Sequence, residues 1–354
     1  MDSQRTCIPY LAMVLTQLIF AGMALFTKAA VGGGMNPYIF VFYREVFATL
    51  FLAPFTLFFE RNKGLPRLPM MRIFFTAFCG DTLSSFLYTI SLRYTSATFA
   101  SASTNAIPSI TLVLALLSRI EKISKKKKLY GVAKLAGSSV SLAGAFIFSL
   151  YKGPAVKFIN KHQLAQEASS SLQNSISKAN WVKGCLIMLL AHTCWSTWLI
   201  LQGPLVKSYP AELRLTVFQC LCSAMQTAVI AVIFERSPSS WKLKLDIPLL
   251  AAVYCGLATG ISFWLITWCV DKKGPVFTSA FTPMALLATA IFSAIVWKET
   301  LHWGSVIGAV LLVVGLYCVL WGKSKEEKPM LEEQDHKDEG IGHNEKDPES
   351  NGHS

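Results

Sequence analysis

Charged residues are scarce in this chain, and that scarcity excludes most soluble folds. Only 15% of the 354 residues are Asp, Glu, Lys or Arg, whereas 53% are hydrophobic, and the mean hydropathy is +0.44. A soluble domain carries about 25% charged residues. The apolar residues here also form long blocks without a polar face, so a soluble core, a coiled coil and a disordered chain are all excluded.

The sequence also lacks the motifs of catalysis and of metal binding. Its nine cysteines include no CxxC pair, and most lie inside apolar blocks, as unpaired buried thiols do. Residues 322–324 (Gly-Lys-Ser) resemble the end of a phosphate-binding loop, but Tyr317 stands where that loop requires glycine. Residues 79–81 (Cys-Gly-Asp) resemble a fragment of an intramembrane aspartyl protease without its second aspartate. We therefore predict no enzymatic activity, no cofactor and no metal site.

The charges that are present divide the chain into a basic body and an acidic tail. Residues 1–322 contain 28 Lys and Arg against 11 Asp and Glu, whereas residues 323–354 contain 5 against 10. The basic residues stand at the ends of apolar blocks, where such residues anchor helices to lipid headgroups. A lipid bilayer, and not nucleic acid, is therefore the expected partner of the body. The tail has almost nothing to bury and is predicted to be disordered.

Ten apolar blocks of about 20 residues are each long enough to cross the ~30 Å hydrocarbon core of a bilayer. Their connections are short except for residues 152–183, which are rich in Ser, Lys and Gln and are predicted to form a flexible loop. The sequence thus predicts an all-α membrane protein with ten transmembrane helices, called spans 1 to 10, at residues 11–31, 38–59, 73–92, 98–118, 131–151, 184–203, 213–234, 249–270, 275–297 and 303–321.

Lysine and arginine are concentrated in alternate connections between these spans. One side of the membrane collects 18 of them and the other side 10, of which five belong to the long loop. Short loops rich in Lys and Arg stay in the cytosol. We therefore predict that both termini are cytosolic, as an even number of spans requires.

The two halves of the chain resemble each other. Phe-Glu-Arg closes span 2 at 59–61 and span 7 at 234–236, and spans 4 and 9 align with a shift of 178 residues. Spans 5 and 10 align with a shift of 171, which matches their glycines. Because five is odd, the second copy enters the membrane upside down, and inverted repeats are typical of secondary transporters. The predicted units are a first repeat (1–151), the loop (152–183), an inverted second repeat (184–322) and the tail (323–354).

Two charged residues, Arg44 and Glu45, lie inside span 2. They are about 9 Å from its first residue, at a rise of 1.5 Å per residue. A charge at the centre of a membrane helix costs about 2.5–3.5 kcal/mol on insertion scales. Adjacent residues of a helix point about 100° apart, so Arg44 and Glu45 are expected not to neutralise each other. Asp81, midway along span 3, is the nearest acceptor for Arg44 by depth. The sequence leaves open whether this pair is a structural clamp or binds substrate or a proton.

Two more glutamates, Glu121 and Glu299, end spans 4 and 9 at related positions of the two repeats. A carboxylate at a helix C-terminus opposes the helix dipole, so neither is a favourable cap. We interpret both as gate residues that pair with a neighbouring lysine, in preference to a proton-binding role. Together with Glu45 they form the candidates for gating or coupling.

Spans 4 and 9 each carry small hydroxylated residues before a proline in mid-span. A proline frees a backbone carbonyl, which a membrane helix tolerates only where protein or a water-filled cavity covers it. Broken helices are expected where substrate binds. Ser101 and Asn105 in span 4 and Thr282 in span 9 are therefore candidates for the lining of a substrate cavity, although prolines also kink helices for packing alone.

A polar and aromatic set on other spans completes the predicted cavity, and such a lining suits amphipathic organic solutes. Its members, besides Arg44 and Asp81, are Gln17, Tyr38, Tyr88, His192, Trp195, Gln202, Trp264 and Thr267. The alternative is that these side chains form interface belts and pack helices together. The rows of small residues in spans 5 and 10 predict close packing, which joins the two repeats or forms a homodimer.

Several stretches resemble a known family: 42–44 (Phe-Tyr-Arg), 94–102 (Tyr-Thr-Ser-Ala-Thr-Phe-Ala-Ser-Ala), 209–213 (Tyr-Pro-Ala-Glu-Leu), 274–277 (Gly-Pro-Val-Phe), 315–317 (Gly-Leu-Tyr) and 321–323 (Trp-Gly-Lys). They resemble the plant drug/metabolite transporters of EamA type, the nodulin-like Walls-Are-Thin-related group, which includes the "usually multiple acids move in and out" amino-acid exporters. The resemblance implies ten helices in two EamA repeats and facilitated or proton-linked movement of amino acids, auxin-like acids or other metabolites. It also implies placement in the plasma membrane or, as the alternative, in the vacuolar membrane. Asn105 matches the family, whereas Ile266 and Thr282 stand where it often has amides.

We therefore predict a secondary transporter of small organic solutes that works by alternating access. Its site is expected near the middle of the membrane, between spans 1, 3, 4, 6, 8 and 9, with Arg44 and Asn105 as contacts for a carboxylate or an amide. The alternative is a membrane receptor or scaffold built on a transporter-like frame. Saturable flux separates the two, because a scaffold moves no solute.

Overall fold

The computed structural model describes residues 2–60, 70–91, 94–95, 100, 102–120, 128–151, 178–243, 246–296 and 303–344. Every regular element in these ranges is helical. The ten principal helices are α1 (Asp2–Gly32), α2 (Pro37–Phe59), α3 (Met70–Ser91), α4 (Thr104–Leu117), α5 (Lys128–Leu150), α6 (Lys178–Ser208), α7 (Glu212–Phe234), α8 (Ile247–Lys273), α9 (275–296) and α10 (Trp303–Asn344).

These helices confirm the ten predicted spans in order. Nine of the described helices are long and apolar enough to cross a membrane, and α4 is a shorter apolar helix of the same kind. Most of the boundaries agree with the predicted ones to within a few residues, because the apolar blocks end at capping residues. Asn36 caps α2 by accepting a hydrogen bond from the backbone N–H of Tyr38, and Asp246 caps α8 in the same way.

Three helices are irregular inside the membrane. The middle of α3, Phe78–Leu83, is a π-helix. The first turn of α4, Thr104–Ala106, is a 3₁₀-helix that leads into Pro108. Helix α9 is interrupted at Phe281, one residue before Thr282 and Pro283. The interruptions of α4 and α9 stand where the mid-span prolines predict them, whereas no residue pattern indicated the π-helix.

The contact between α5 and α10 shows that the two halves are inverted. A Cβ added to Gly137 would lie 2.7 Å from the carbonyl oxygen of Gly315, and one added to Gly144 would lie 3.0 Å from that of Gly308. The two helices therefore run antiparallel with their backbones in contact. Gly137 and Gly308, like Gly144 and Gly315, occupy the same position of the two repeats, so a local two-fold axis passes through this helix pair.

The remaining contacts obey the same exchange of halves. Helix α2 packs against its counterpart α7, and both are 23 residues long. Helix α1 packs against α8 and α9, and correspondingly α6 packs against α3 and α4. The main contacts therefore lie between the repeats, and the buried core forms at their shared interface.

The small-residue faces of α5 and α10 pack against each other within one chain. They therefore join the two repeats, and a homodimer through other surfaces stays a prediction.

The structure continues α10 as a helix to Asn344, which differs from the disorder predicted for the tail. Its Glu, Lys and Gln residues favour helix, and extending an existing helix needs no new nucleus.

Candidate functional site

The charged residues of α2 and α3 form one buried cluster. Arg44 donates from Nε to Glu45 Oε1 at 2.9 Å, and its Nη2 lies 2.8 Å from the same oxygen and 3.3 Å from Asp81 Oδ1. Glu45 is fully buried and Asp81 is 4% exposed. The expectation that Arg44 and Glu45 do not neutralise each other is wrong, because the long arginine side chain folds back over the neighbouring residue.

The π-helix in α3 positions Asp81 in this cluster. It brings Gly80 flat against the indole ring of Trp198 in α6, where a Cβ has no room. Next to Asp81, Thr82 donates a hydrogen bond of 2.7 Å to Gln226 Oε1 and lies 3.0 Å from the Ser223 hydroxyl. These contacts to α6 and α7 hold the wider helical turn in place, and π-helical turns are frequent at functional sites.

A small cleft with a volume of about 20 Å³ lies between α2, α3 and α7, and its lining comes close in sequence to the charged cluster. Thr82, the neighbour of Asp81, lines one part of it, and Val41 lies one turn from Glu45. Tyr38 and Phe86 line it as well, and both rings pack against Phe234, with centroids 5.2 Å from that of Phe234. The cleft therefore runs from an aromatic cluster near the helix ends towards the buried charges.

A second group of predicted residues joins α3, α4 and α6. The imidazole Nε2 of His192 lies 3.0 Å from the hydroxyl of Ser103, and the ring of Tyr88 lies 6.5 Å from that of His192. Asn105 is 1% exposed and donates to the carbonyl oxygen of Ala102 at 3.2 Å. Its amide is thus used for packing within α4 in this conformation.

The third group is an amide pair. Gln202 of α6 donates to Gln219 of α7 at 2.7 Å, and Gln219 donates back at 3.3 Å. Both side chains are buried. A reciprocal amide pair satisfies buried polar groups without any charge.

An apolar cluster occupies the space that the sequence assigns to one continuous site. It consists of Ala48, Ile107, Trp198, Leu199, Cys220, Phe263, Ile266 and Val270, with Phe20 and Trp195 packed against it. Members lie within about one turn of Glu45, Asn105, Gln202 and Thr267. The predicted polar residues therefore surround an apolar centre in separate groups and do not line one continuous cavity in this structure.

The other predicted residues are scattered. Gln17 and Thr267 are buried, and the Thr267 hydroxyl has no hydrogen-bond partner among the described residues. Thr282 donates to the carbonyl oxygen of Ser279 at 2.7 Å, and Trp264 is 38% exposed, away from the buried face of α8. Ser101, Glu121 and Glu299 lie outside the described residues.

Two glutamates that the sequence interpretation did not assign hold the ends of the α2–α7 pair. Glu60 accepts a hydrogen bond from the backbone N–H of Arg214 at 2.8 Å, in the first turn of α7. At the opposite end, Glu235 accepts from the side-chain amide of Asn36 at 2.8 Å. Both belong to the repeated Phe-Glu-Arg pattern, so the repetition itself was the signal that pointed to these residues.

Comparison with known proteins agrees with this architecture. The sequence profile of the EamA-like transporter family matches residues 8–149 and 182–321. The WAT1-related protein At1g43650 of Arabidopsis thaliana is 50% identical over 90% of this chain and 92% of its own length. Protein WALLS ARE THIN 1 of the same plant is 36% identical over 90% of this chain and 84% of its own length.

A solved crystal structure shares the fold. It aligns with a TM-score of 0.67 and 17% sequence identity, over 88% of this chain and 96% of the other. The inverted helical halves, the matches in both halves and the similarity to plant relatives lead to one assignment. The chain belongs to the EamA-like transporter family and, within it, to the plant WAT1-related proteins.

Proposed function

We propose that this membrane transporter moves small organic solutes that carry a carboxylate, such as amino acids or auxin-like acids, by alternating access. The observation that carries the proposal is the buried Arg44, Glu45 and Asp81 cluster at the interface of two inverted repeats. A guanidinium binds a carboxylate through paired, charge-assisted hydrogen bonds. Arg44 keeps 16% of its side chain exposed, next to carboxylates that a solute can replace.

The apolar cluster supplies the other half of the recognition. Trp195, Trp198 and Phe263 pack with ring centroids 4.9–5.8 Å apart. An indole or aliphatic side chain of a solute gains free energy by packing on such rings. The proposed solute therefore places its carboxylate on Arg44 and its apolar part among these rings once the repeats separate.

Alternating access requires each end of the α2–α7 pair to open in turn. The Glu235–Asn36 contact and the aromatic cluster of Tyr38, Phe86 and Phe234 close one end. The Glu60–Arg214 contact closes the other. In the proposed cycle one end is released while the other holds. Glu121 and Glu299 remain proposed gate residues.

The proposal includes the placement of the chain. Both termini face the cytosol of a plasma-membrane protein, with the vacuolar membrane as the alternative. Under this orientation the Glu235 end is the outer gate and the Glu60 end the cytosolic gate. Protease added to sealed right-side-out vesicles should leave a tag at the C-terminus intact, and cleavage of that tag contradicts the orientation.

Counterflow in proteoliposomes tests the transport proposal. Vesicles loaded with one unlabelled amino acid or indole-3-acetate are diluted into the labelled compound, and transient accumulation is measured. We expect accumulation with the wild type and with Arg72→Gln, which changes an exposed arginine at the start of α3. We expect none with Arg44→Gln. Absence of saturable flux for every compound supports the scaffold alternative, and flux without counterflow indicates a channel.

A further inference from the structure

The charged cluster contains one carboxyl group more than its cation can neutralise. Arg44 supplies one positive charge, and Glu45 and Asp81 supply two carboxyl groups, both almost completely buried. One oxygen of each, Glu45 Oε2 and Asp81 Oδ2, accepts no hydrogen bond from the described residues. A buried unpaired charge costs several kcal/mol, so a fully ionised cluster is unfavourable.

The geometry of the two carboxyl groups provides a place for a proton. Their other oxygens share one nitrogen of Arg44, at 2.8 and 3.3 Å, so the two carboxyl groups occupy one site. Two carboxylates are both acceptors, so a hydrogen bond between them requires a proton on one. Two carboxyl groups that share a site do not both ionise readily.

Among the described residues, the charged side chains of α6, α7 and α8 stand near the ends of those helices. The thiols of Cys220 on α7 and Cys255 on α8 are the titratable groups of these helices that interact electrostatically with the cluster. The part of α6 that contacts Gly80 contributes the ring of Trp198. The excess charge is therefore balanced within the cluster itself, by a proton on one of its two carboxyl groups.

We propose that Glu45 and Asp81 form the coupling site for protons, at which one proton enters for each solute carboxylate that binds Arg44. The proposal rests on the proposed transport function. Before the solute arrives, one proton and the guanidinium neutralise the two carboxyl groups. A solute carboxylate that takes Arg44 displaces the ionised group, which has lost its cation in a low-dielectric site and binds a second proton. One carboxylate and one proton thus cross together without net charge.

The cleft lies between the cluster and the Asn36 end of α2, on the side from which a proton would enter. Its lining includes Thr82, Ser85 and Thr89 along α3 and Thr227 on α7. Its volume of about 20 Å³ has room for about one water molecule, which these polar side chains can hydrogen-bond. When the repeats exchange, the proton leaves to the other side as the carboxylate pairs with Arg44 again.

Solute accumulation under an imposed pH gradient tests this inference. Proteoliposomes that contain the full chain are given a gradient of one pH unit, acidic outside, and uptake of a labelled zwitterionic amino acid, which crosses a protein-free bilayer poorly, is measured with the membrane potential clamped at zero. One proton per solute predicts up to about tenfold accumulation, and protein-free vesicles should show none. A pH-sensitive dye inside the vesicles should acidify with solute entry. Dependence on sodium in place of protons overturns the inference.

The variants separate coupling from folding. The double variant Glu45→Gln with Asp81→Asn should lose accumulation under the pH gradient, because no carboxyl group remains to take the second proton. Each single variant keeps one carboxyl group and should still accumulate solute. Asp246→Asn is the matched control, because Asp246 is exposed and asparagine also caps a helix. If the double variant fails to fold, infrared difference spectra of the wild type still decide: solute binding should add the C=O stretch of a protonated carboxyl. Counterflow without proton movement in the wild type overturns the coupling, whereas absence of counterflow overturns the transport proposal.

Discussion

Helices α2 and α7 have the same frame but different chemistry. Each is 23 residues long and ends in Phe followed by Glu and Arg. Aligning these ends places Arg44 on Gln219 and Glu45 on Cys220. The first repeat thus contains a charged cluster at the depth where the second contains the neutral Gln202–Gln219 pair. The duplication preserved the packing of the helices, while charge was confined to one half.

The ends of the same two helices differ in a related way. Ala211 precedes α7 without any capping side chain, and Glu60 of α2 supplies the missing acceptor. Helix α2 is capped by its own Asn36, and Glu235 of α7 only binds the amide of that residue. The two proposed gates are therefore built from related residues but have unequal strength.

The largest loss of stability and transport is expected for a change of Arg44, because its charge has no counterpart in the second repeat. Arg44→Gln leaves two buried carboxyl groups without a cation, and breaking a buried ion pair destabilises by about 3–5 kcal/mol. Thermal unfolding in detergent should show this loss, and solute counterflow should disappear. The double variant Arg44→Gln with Asp81→Asn should recover stability without recovering transport. An Arg44→Gln protein with wild-type stability and flux contradicts the proposed role of the cluster.

A smaller loss of stability, similar in the two repeats, is expected for glycine substitutions in the contact between α5 and α10. Gly144→Ala and Gly315→Ala introduce methyl groups at related positions against the facing helix, and such overpacking costs about 1–3 kcal/mol. The two losses, measured by thermal unfolding, should agree closely. Gly203→Ala is the control, because its Cβ meets nothing closer than 4.0 Å, and there alanine should raise stability slightly. Clearly unequal losses speak against the local two-fold symmetry of the α5–α10 pair.

The amide pair should respond as a neutral pair. Gln202→Leu strands the buried amide of Gln219 and is expected to cost about 1–3 kcal/mol. The double variant Gln202→Leu with Gln219→Leu removes both polar groups, so it should cost less than the single variant. Thermal unfolding of the three proteins completes the cycle. Additive losses contradict a direct coupling between the two amides.

The smallest expected effect is the difference in stability between variants at the two ends of the α2–α7 pair. Glu60→Gln weakens a charge-assisted hydrogen bond to the start of α7, whereas Glu235→Gln weakens one to a neutral amide. We expect stability losses of about 1–2 and below about 1 kcal/mol, respectively. Exchange rates in counterflow should change more for Glu60→Gln. A larger change for Glu235→Gln reverses the assigned order of the gates.

The fold follows from the sequence far more directly than the site does. Apolar runs and their length determine which segments are spans, and the repeated glycines anticipate the α5–α10 contact because backbone contact demands them. The contact between Arg44 and Asp81 was predicted only from their similar depth in the membrane. The Arg44–Glu45 contact was missed, since a helical wheel ignores the reach of a long side chain, and the π-helix of α3 has no local residue pattern.

The sequence also did not predict that the polar residues are divided into separate groups around an apolar centre. His192, Gln202 and Asn105 were each placed on the right helix, but their partners come from tertiary packing. Buried polar side chains form hydrogen bonds with whichever neighbour is near. The spacing of such residues along one helix therefore predicts burial and not which residues form a common chamber.

The contact between α5 and α10 has a consequence for how such a molecule can move. Backbone contacts extend over about three to four turns, from Gly137 to Tyr151 at the end of α5 and from Gly304 to Gly315 on α10. Sliding these helices past each other would drive Cβ atoms into carbonyl groups. The two helices can therefore rotate relative to each other more easily than they can slide. If the two repeats move as proposed, this helix pair is the expected pivot of that motion.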